Sequence, residues 1–511
     1  MRFSTSRPLV LLGLTLALAS CRDGTPTTPQ LPQGGGGNNG GGGSSLVLPF
    51  RLSGTSGDEE GFATVTDGSG NLYVAGKFSA AIDFDPGAGS AIKTPVGGGD
   101  AFVARYNSDG TFAFVTVLSG SGLDAANAVA LDGSGNVFAT GSVSQGVTCN
   151  GSTITAPTTP LSAGGLDAFV VKIAADGSCT WLASVGGPGD DEGDGIATDA
   201  SGNVAVTGRF NSTAQFDPLQ AALPVASVGG TDVFLASYTT AGVFRWVTPI
   251  GSTGADAGRT VVADATGNFY LLAAITGTVD ADPTGASFPV TGPGNRDFFL
   301  GRYTNAGLLG WAIAVGSTSD DFRSGGMAIS NGNVVVAGDY QGSNTGDFDY
   351  FGAVVNFPNV GQNDVIVLQY GQADGHYVSG YHFGGPGADF ATGLVVDGAG
   401  NNYVAGTFQQ TINFDPNGGT RTTTALGTQD GFLLAAGTTG APTWFVPLGV
   451  ANNSTSPMGI SLGSGGSVWS TGYFAGTVDF DPSGAVVPLT ALGSRGAYVA
   501  QYDATGAIIT R

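Results

Sequence analysis

A short phrase, GNLYVAG (Gly70–Gly76), returns six more times along the chain. The later copies are GNVFATG from Gly135, GNVAVTG from Gly202, GNFYLLA from Gly267, GNVVVAG from Gly332, GNNYVAG from Gly400 and GSVWSTG from Gly466. The second position of the phrase falls at Asn71, Asn136, Asn203, Asn268, Asn333, Asn401 and Ser467, so successive copies lie 65, 67, 65, 65, 68 and 66 residues apart. Length alone suggests about three domains for such a chain. A period this steady overrides that prior. One supersecondary unit is repeated, and units of this size bury their cores against one another.

Each unit carries four strand signals. The first precedes the phrase, as in GFATVTD (Gly61–Asp67) and ANAVALD (Ala126–Asp132), where small and branched residues suit a strand packed on both faces. An Asp-x-x-Gly-Asn turn follows, in which Asp67 caps backbone amides and Gly70 takes a positive φ. The phrase itself is the second strand. After a longer excursion comes the third, as in DAFVARY (Asp100–Tyr106), DAFVVKI (Asp167–Ile173), DVFLASY (Asp232–Tyr238) and DFFLGRY (Asp297–Tyr303). The fourth carries an aromatic at Phe114, Trp181, Trp246, Trp311 and Trp444; the sixth repeat departs, with GHYVSGYHFGG (Gly375–Gly385).

Four antiparallel strands joined by hairpins make one blade, and seven such blades predict an all-β, seven-bladed β-propeller. The last repeat supplies only three strands before the chain stops. LPFRLSG (Leu48–Gly54) matches FVTVLSG (Phe114–Gly120), so the N-terminal strand is expected to complete the last blade and remove two exposed sheet edges. The recurring aromatics are expected to fill the wedge between blades. The 89 glycines sit at fixed offsets between β-prone runs and read as turn residues rather than as low-complexity disorder.

Three segments are expected: 1–21 a signal peptide, 22–45 a Gly/Pro/Thr-rich tether without a core, and 46–511 the propeller. Arg2 and Arg7 precede an apolar run too short to span a bilayer, which ends in Leu18-Ala19-Ser20-Cys21. That ending resembles the bacterial lipobox, which implies lipidation of Cys21, export, and anchoring in the cell envelope at the outer membrane or cell surface. Cys149 and Cys179 remain. In an oxidising compartment they read either as a disulfide or as two separate buried thiols.

The ordered set D-x-x-G-N-x-Y-V-x-G, D-F-D-P, G-G-x-D-A-F-V-A-x-Y and D-G-x-x-x-W resembles the SBBP β-propeller repeats of bacterial exported and surface proteins. The resemblance spans about residues 46–511. It implies the fold and no particular activity.

Candidate chemistry is sparse. Asp-x-Asp pairs sit between second and third strands at Asp83/Asp85, Asp280/Asp282, Asp347/Asp349 and Asp479/Asp481, with Gln215/Asp217 and Asn413/Asp415 in related places. Two readings stand: a calcium site built from hard oxygen ligands, or a turn in which Asp caps amides and the intervening Phe packs inward. A second acidic group enters the blades at Asp58, Glu59, Glu60, Asp124, Asp190, Asp191, Glu192, Asp194, Asp256, Asp320, Asp321 and Asp389. It reads either as a negative binding face or as solvated loop charge. The two histidines, His376 and His382, read as packing or surface residues. A net charge of −22 argues against nucleic acid as partner.

The expectation is a monomeric, non-catalytic scaffold that binds a protein or glycan through its loops, touches membrane only through its lipid, and needs no cofactor except, on one reading, calcium. The alternatives are a polysaccharide-degrading enzyme with a carboxylate pair on one face, and a calcium-stabilised structural protein of the envelope.

Overall fold

The computed structural model describes residues 48–510, apart from 53, 55–56, 153, 155–163, 218–223, 343–345, 450, 482–483, 485 and 492–494. Cys21, the signal segment and the tether lie outside the described residues.

Seven four-stranded antiparallel blades form a ring. Blade one is Glu60–Thr66, Leu72–Phe78, Asp100–Tyr106 and Phe112–Ser119. Blades two to six follow over 125–185, 192–250, 257–315, 325–383 and 390–448. Blade seven takes Thr455–Leu462, Val468–Phe474 and Gly496–Tyr502 from the C-terminal end, and its fourth strand, Phe50–Leu52, from the other end. Phe50 pairs with Val499 and Leu52 with Ala497. The first strands line the axis. Each touches the next, and Thr455–Leu462 returns to Glu60–Thr66, so the ring closes.

The Asp-x-x-Gly-Asn turn has a definite wiring. Asp67 Oδ1 accepts the amides of Ser69 and Asn71, both at 2.9 Å, and Oδ2 accepts Asn71 Nδ2 at 2.8 Å. Gly70 sits at φ +80, where an L side chain is strained. The same wiring recurs at Asp132, Asp199, Asp264 and Asp397. Blade five is one residue shorter here. Its strands meet across Asn331-Gly332, both at positive φ, the two-residue hairpin that twisted strands favour.

Adjacent blades are joined by the fourth-strand tryptophans. Trp181, Trp246, Trp311 and Trp444 donate Nε1–H to the carbonyls of Thr240, Asn305, Gln372 and Ala504 at 3.0–3.2 Å. Each acceptor lies in the second hairpin turn of the following blade. The turn glycines Gly242, Gly307, Gly375 and Gly506 lie flat on these rings, where a Cβ would come within 2.9 Å of the indole. The strand Tyr377–Phe383, counted above with the sixth repeat, is the outer strand of blade five, and it does carry the aromatic. Tyr381 takes the role from two residues further along the same face, buried against Gly440 and accepting from Asn402 at 3.2 Å.

Among the described residues no helix is long and apolar enough to cross a membrane.

Candidate functional site

Each first strand runs from the acidic entry loop to the Gly-Asn turn. One face of the disc therefore carries the entry loops together with the excursions between second and third strands. The opposite face carries the tight hairpin turns.

The Asp-x-Asp elements form corners of the loop face. In four of them the first aspartate receives two amides. Asp83 Oδ1 accepts from Asp85 and Ala91, Asp280 from Asp282 and Phe288, Asp347 from Asp349 and Val355, and Asp479 from Asp481 and Val487, all at 2.7–3.2 Å. Asn413 does the same for Asp415 and Arg421. The second acids Asp85 and Asp349 cap Gly87 and Phe351. The residue between them points inward: Phe84, Phe216, Ala281, Phe348, Phe414 and Phe480 are fully buried. Its carbonyl takes the hydroxyl of the tyrosine that ends the third strand at Tyr106, Tyr238, Tyr303, Tyr370 and Tyr502, at 2.8–3.2 Å. This is the wiring of the turn reading. Among the described residues, no three His, Cys, Asp or Glu side chains gather in a metal-holding group.

The second repeat lacks the element, and Cys149 stands there instead. Thr148–Cys149 adds to the outer edge of blade one through Ser119 and Leu118. Cys149 is joined by a disulfide to Cys179, the first residue of the outer strand of blade two, with Cα atoms 6.4 Å apart. The bond ties two blades at their rim.

The entry-loop acids do not form the solvated fringe that one reading expected. Glu59, Asp124, Asp191, Asp256, Asp321 and Asp389 are all fully buried. The five aspartates span their own loop and the end of the second strand. Asp191 Oδ2 accepts the Gly187 amide at 2.7 Å and Oδ1 the Asn211 amide at 2.8 Å; Asp256 accepts those of Ser252 and Thr276, both at 2.6 Å. The loop is held by its carboxylate because a glycine-rich turn offers amides and no side chains to cap them. Asp190 stays exposed and Asp58 and Asp320 are half-buried.

A second set of buried acids was not among the sequence candidates. The first residue of the third strand, Asp100, Asp167, Asp232, Asp297, Asp364 and Asp430, is at most 1% exposed. The available signal was a charged residue recurring at the head of an otherwise apolar run. Burial removes hydration and raises the carboxyls of three of them, Asp100, Asp232 and Asp297. Desolvation carries Asp100 and Asp232 to about 6 and Asp297 to about 7, with the neighbouring Asp124, Asp256 and Asp321 adding repulsion. Asp191 rises to about 6 and Asp389 to about 7 for the same reasons.

Blade five breaks the repeat most. Its first strand pairs without the irregular register found in the other six, and Phe322 sits at φ +54. Asp339 replaces the Lys77, Ser142, Arg209, Ala274, Thr407 or Tyr473 of the other copies. It is fully buried, accepts the Arg323 amide at 2.9 Å and Asn363 Nδ2 at 2.9 Å, and desolvation lifts it to about 7. His382 belongs to this blade, with Nδ1 3.2 Å from the Tyr340 hydroxyl and 3.7 Å from Asp364 Oδ2. His376 is exposed and packs on Phe351. Above lies an open groove of about 660 Å³ between blades four and five. Asn295, Asp320, Gln341, Asn359, Val360 and Gln362 are among its lining residues. A smaller cavity of about 310 Å³ opens at the axis between the first strands, beside Thr64, Ser330, Asp397 and Ser461.

This architecture is a seven-bladed β-propeller. No protein-family model matches the chain. The chain is 23% identical over 426 residues to an uncharacterized WD repeat-containing protein, L264, of Acanthamoeba polyphaga mimivirus, covering 69% of this chain and 30% of that protein. It is 24% identical over 470 residues to the regulatory protein FlaEY of Caulobacter vibrioides, covering 88% of this chain and 46% of that one. The chain thus spans less than half the length of either relative. Among solved structures it is similar to the quinohemoprotein alcohol dehydrogenase of Comamonas testosteroni, with 9% identity, a TM-score of 0.39, and coverage of 89% of this chain and 76% of that one. A europium-containing methanol dehydrogenase scores 0.36 at 12% identity, with 89% and 92% covered. Likeness at this level carries no argument for or against catalysis.

Proposed function

We propose that the chain is an exported propeller of the SBBP type, anchored in the cell envelope by a lipid on Cys21, and that it acts as a non-catalytic scaffold binding a glycan. The observation that carries this reading is the groove between blades four and five. Its wall of amide side chains, Asn295, Gln341, Asn359 and Gln362, offers donors and acceptors side by side. Sugar hydroxyls need that combination, and an open groove admits an extended chain. Asp320 lines the groove, while the buried acids around it, Asp297, Asp321, Asp339 and Asp364, do not, so the wall offers no carboxylate pair, which favours binding over glycosidic hydrolysis. The groove lies beside blade five, which breaks the repeat most, so it is not one of seven equivalent sites.

The test is a glycan panel screened by thermal shift and calorimetry, against the wild type and Gln341→Ala/Asn359→Ala. The reading predicts at least one oligosaccharide whose affinity falls tenfold or more in the double variant. Binding that the double variant leaves unchanged, or no binding across the panel, removes it. Mass spectrometry of the exported protein tests the anchor: an unmodified Cys21, or cleavage elsewhere, contradicts it.

A further inference from the structure

The two buried acid sets meet at the boundaries between blades. Gly316 follows the fourth strand of blade four, Leu309–Val315. The point where a Cβ on Gly316 would stand is 2.4 Å from Asp297 Oδ1 and 2.8 Å from Asp321 Oδ2. Gly186 marks the same meeting two blades earlier, with Asp167 Oδ1 at 2.1 Å and Asp191 Oδ2 at 2.7 Å. In both places only a glycine leaves room for the second carboxylate.

The hydrogen bonds at Gly316 are unequal. Asp321 is well supplied: its Oδ1 accepts the Gln341 amide at 2.7 Å and the Ser317 hydroxyl at 3.0 Å, and its Oδ2 accepts the Ser317 amide. Desolvation raises this carboxyl and the three donors oppose the rise. Asp297 Oδ2 accepts the Gly294 amide at 2.8 Å. Asp297 Oδ1 has no hydrogen-bond partner among the described residues, although the residue is fully buried and this oxygen faces Asp321. The nearby guanidiniums do not neutralise the pair, because Arg296 and Arg323 turn to Asp320 at 4.0 and 3.8 Å. Backbone carbonyls crowd the neighbouring turn: those of Ser317 and Ser319 come within 2.6 Å of the Cβ position of Gly294, whose amide holds Asp297 Oδ2, and the Ser319 carbonyl also accepts the Asn295 amide. Two facing carboxylates, an unpartnered oxygen and loop carbonyls are a hard-oxygen donor set. Calcium accepts six to eight such ligands in irregular geometry, whereas magnesium requires a near-regular octahedron.

We propose that a calcium ion binds between Asp297 and Asp321, where it bridges the last sheet edge of blade four to the entry loop of blade five. This site is separate from the Asp-x-Asp corners and differs from them in its buried carboxylate oxygen, Asp297 Oδ1, which has no hydrogen-bond partner among the described residues. The bound ion would fix the Ser317–Asp321 loop, which contributes Ser319 and Asp320 to the groove wall.

The experiment measures bound calcium per chain by equilibrium dialysis with elemental analysis at pH 7.5, alongside thermal midpoints in EDTA and in millimolar calcium. Wild type, Asp297→Asn and Asp282→Asn are compared, with magnesium as the control ion. The expected result is calcium binding that raises the midpoint, with one ion fewer and a smaller rise in Asp297→Asn, and no change in Asp282→Asn. Should Asp297→Asn fail to fold, Asp321→Asn is read in the same way. Three outcomes overturn the proposal: no calcium bound by the wild type, equal binding in wild type and Asp297→Asn, or loss confined to Asp282→Asn.

Discussion

Glu59 offers a clean measure of what a buried charge costs where the ring closes. It immediately precedes the innermost strand of blade one, Glu60–Thr66, which packs against blade seven, and it is fully buried. Desolvation lifts its carboxyl from 4.5 to about 7; the Gly54 amide opposes the rise and the neighbouring Asp58 adds to it. The adjacent Glu60 takes the cations within reach, Lys77 at 3.5 Å and Arg495 at 3.3 Å. A folded value above the unfolded one means that the folded state holds the proton more tightly. Stability is therefore undiminished below pH 4.5, falls as pH rises from 4.5 to 7, and carries the full loss above 7. A rise of roughly 2.5 pH units corresponds to about 3 kcal/mol.

Glu59→Gln replaces the acid by a neutral side chain of the same shape. The variant is expected to match the wild type at pH 4.5 and to exceed it by about 3 kcal/mol at pH 8. A body of roughly 460 residues has an unfolding entropy of about 1 kcal/mol/K, so the midpoint should rise by about 3 °C at pH 8. Calorimetric melts of both proteins from pH 4.5 to 8 give the two slopes. A difference independent of pH, or a Gln variant less stable at pH 8, would refute the claim that an unneutralised charge is buried there.

Three further outcomes are expected. Cys149→Ser/Cys179→Ser should lose about 3–4 kcal/mol, since a closure of 30 residues constrains the unfolded chain by that much; a double variant that melts with the wild type in non-reducing buffer would show the rim bond to be idle. Asp67→Ala strips two amides and Asn71 of their acceptor and should cost about 1–3 kcal/mol in chemical denaturation; a cost below about 0.5 kcal/mol would mean that the turn holds its shape without the carboxylate. Leu52→Ala should cost about 2–4 kcal/mol, because Leu52 is fully buried in the strand that closes blade seven; a neutral result would mean that the ring is held shut without it.

Much of the framework was legible in one dimension. The turn chemistry of Asp67 and Gly70 depends on residues within four positions of each other, so spacing alone exposed it. Blade number followed from the period, and ring closure from the match of 48–54 to 114–120. Tyr381 was hidden because it replaces a tryptophan from two residues away, and a register two positions off looks like an absence in sequence while it is the same face in a strand. The burial of Asp124, Asp191 and Asp321 was hidden for a different cause. An acid in a glycine-rich loop reads as solvated unless its amide donors are known, and those donors lie about 20 residues downstream, at Ser144, Asn211 and Gln341.

The sequence by itself determined the module, the number of its copies and how the circle is joined, because those properties rest on local periodicity and on complementary ends. The tertiary structure alone decided which carboxylates lose their water and which of them face one another. Desolvation and charge proximity are set by the neighbouring blade, and no spacing along the chain encodes how closely two blades approach.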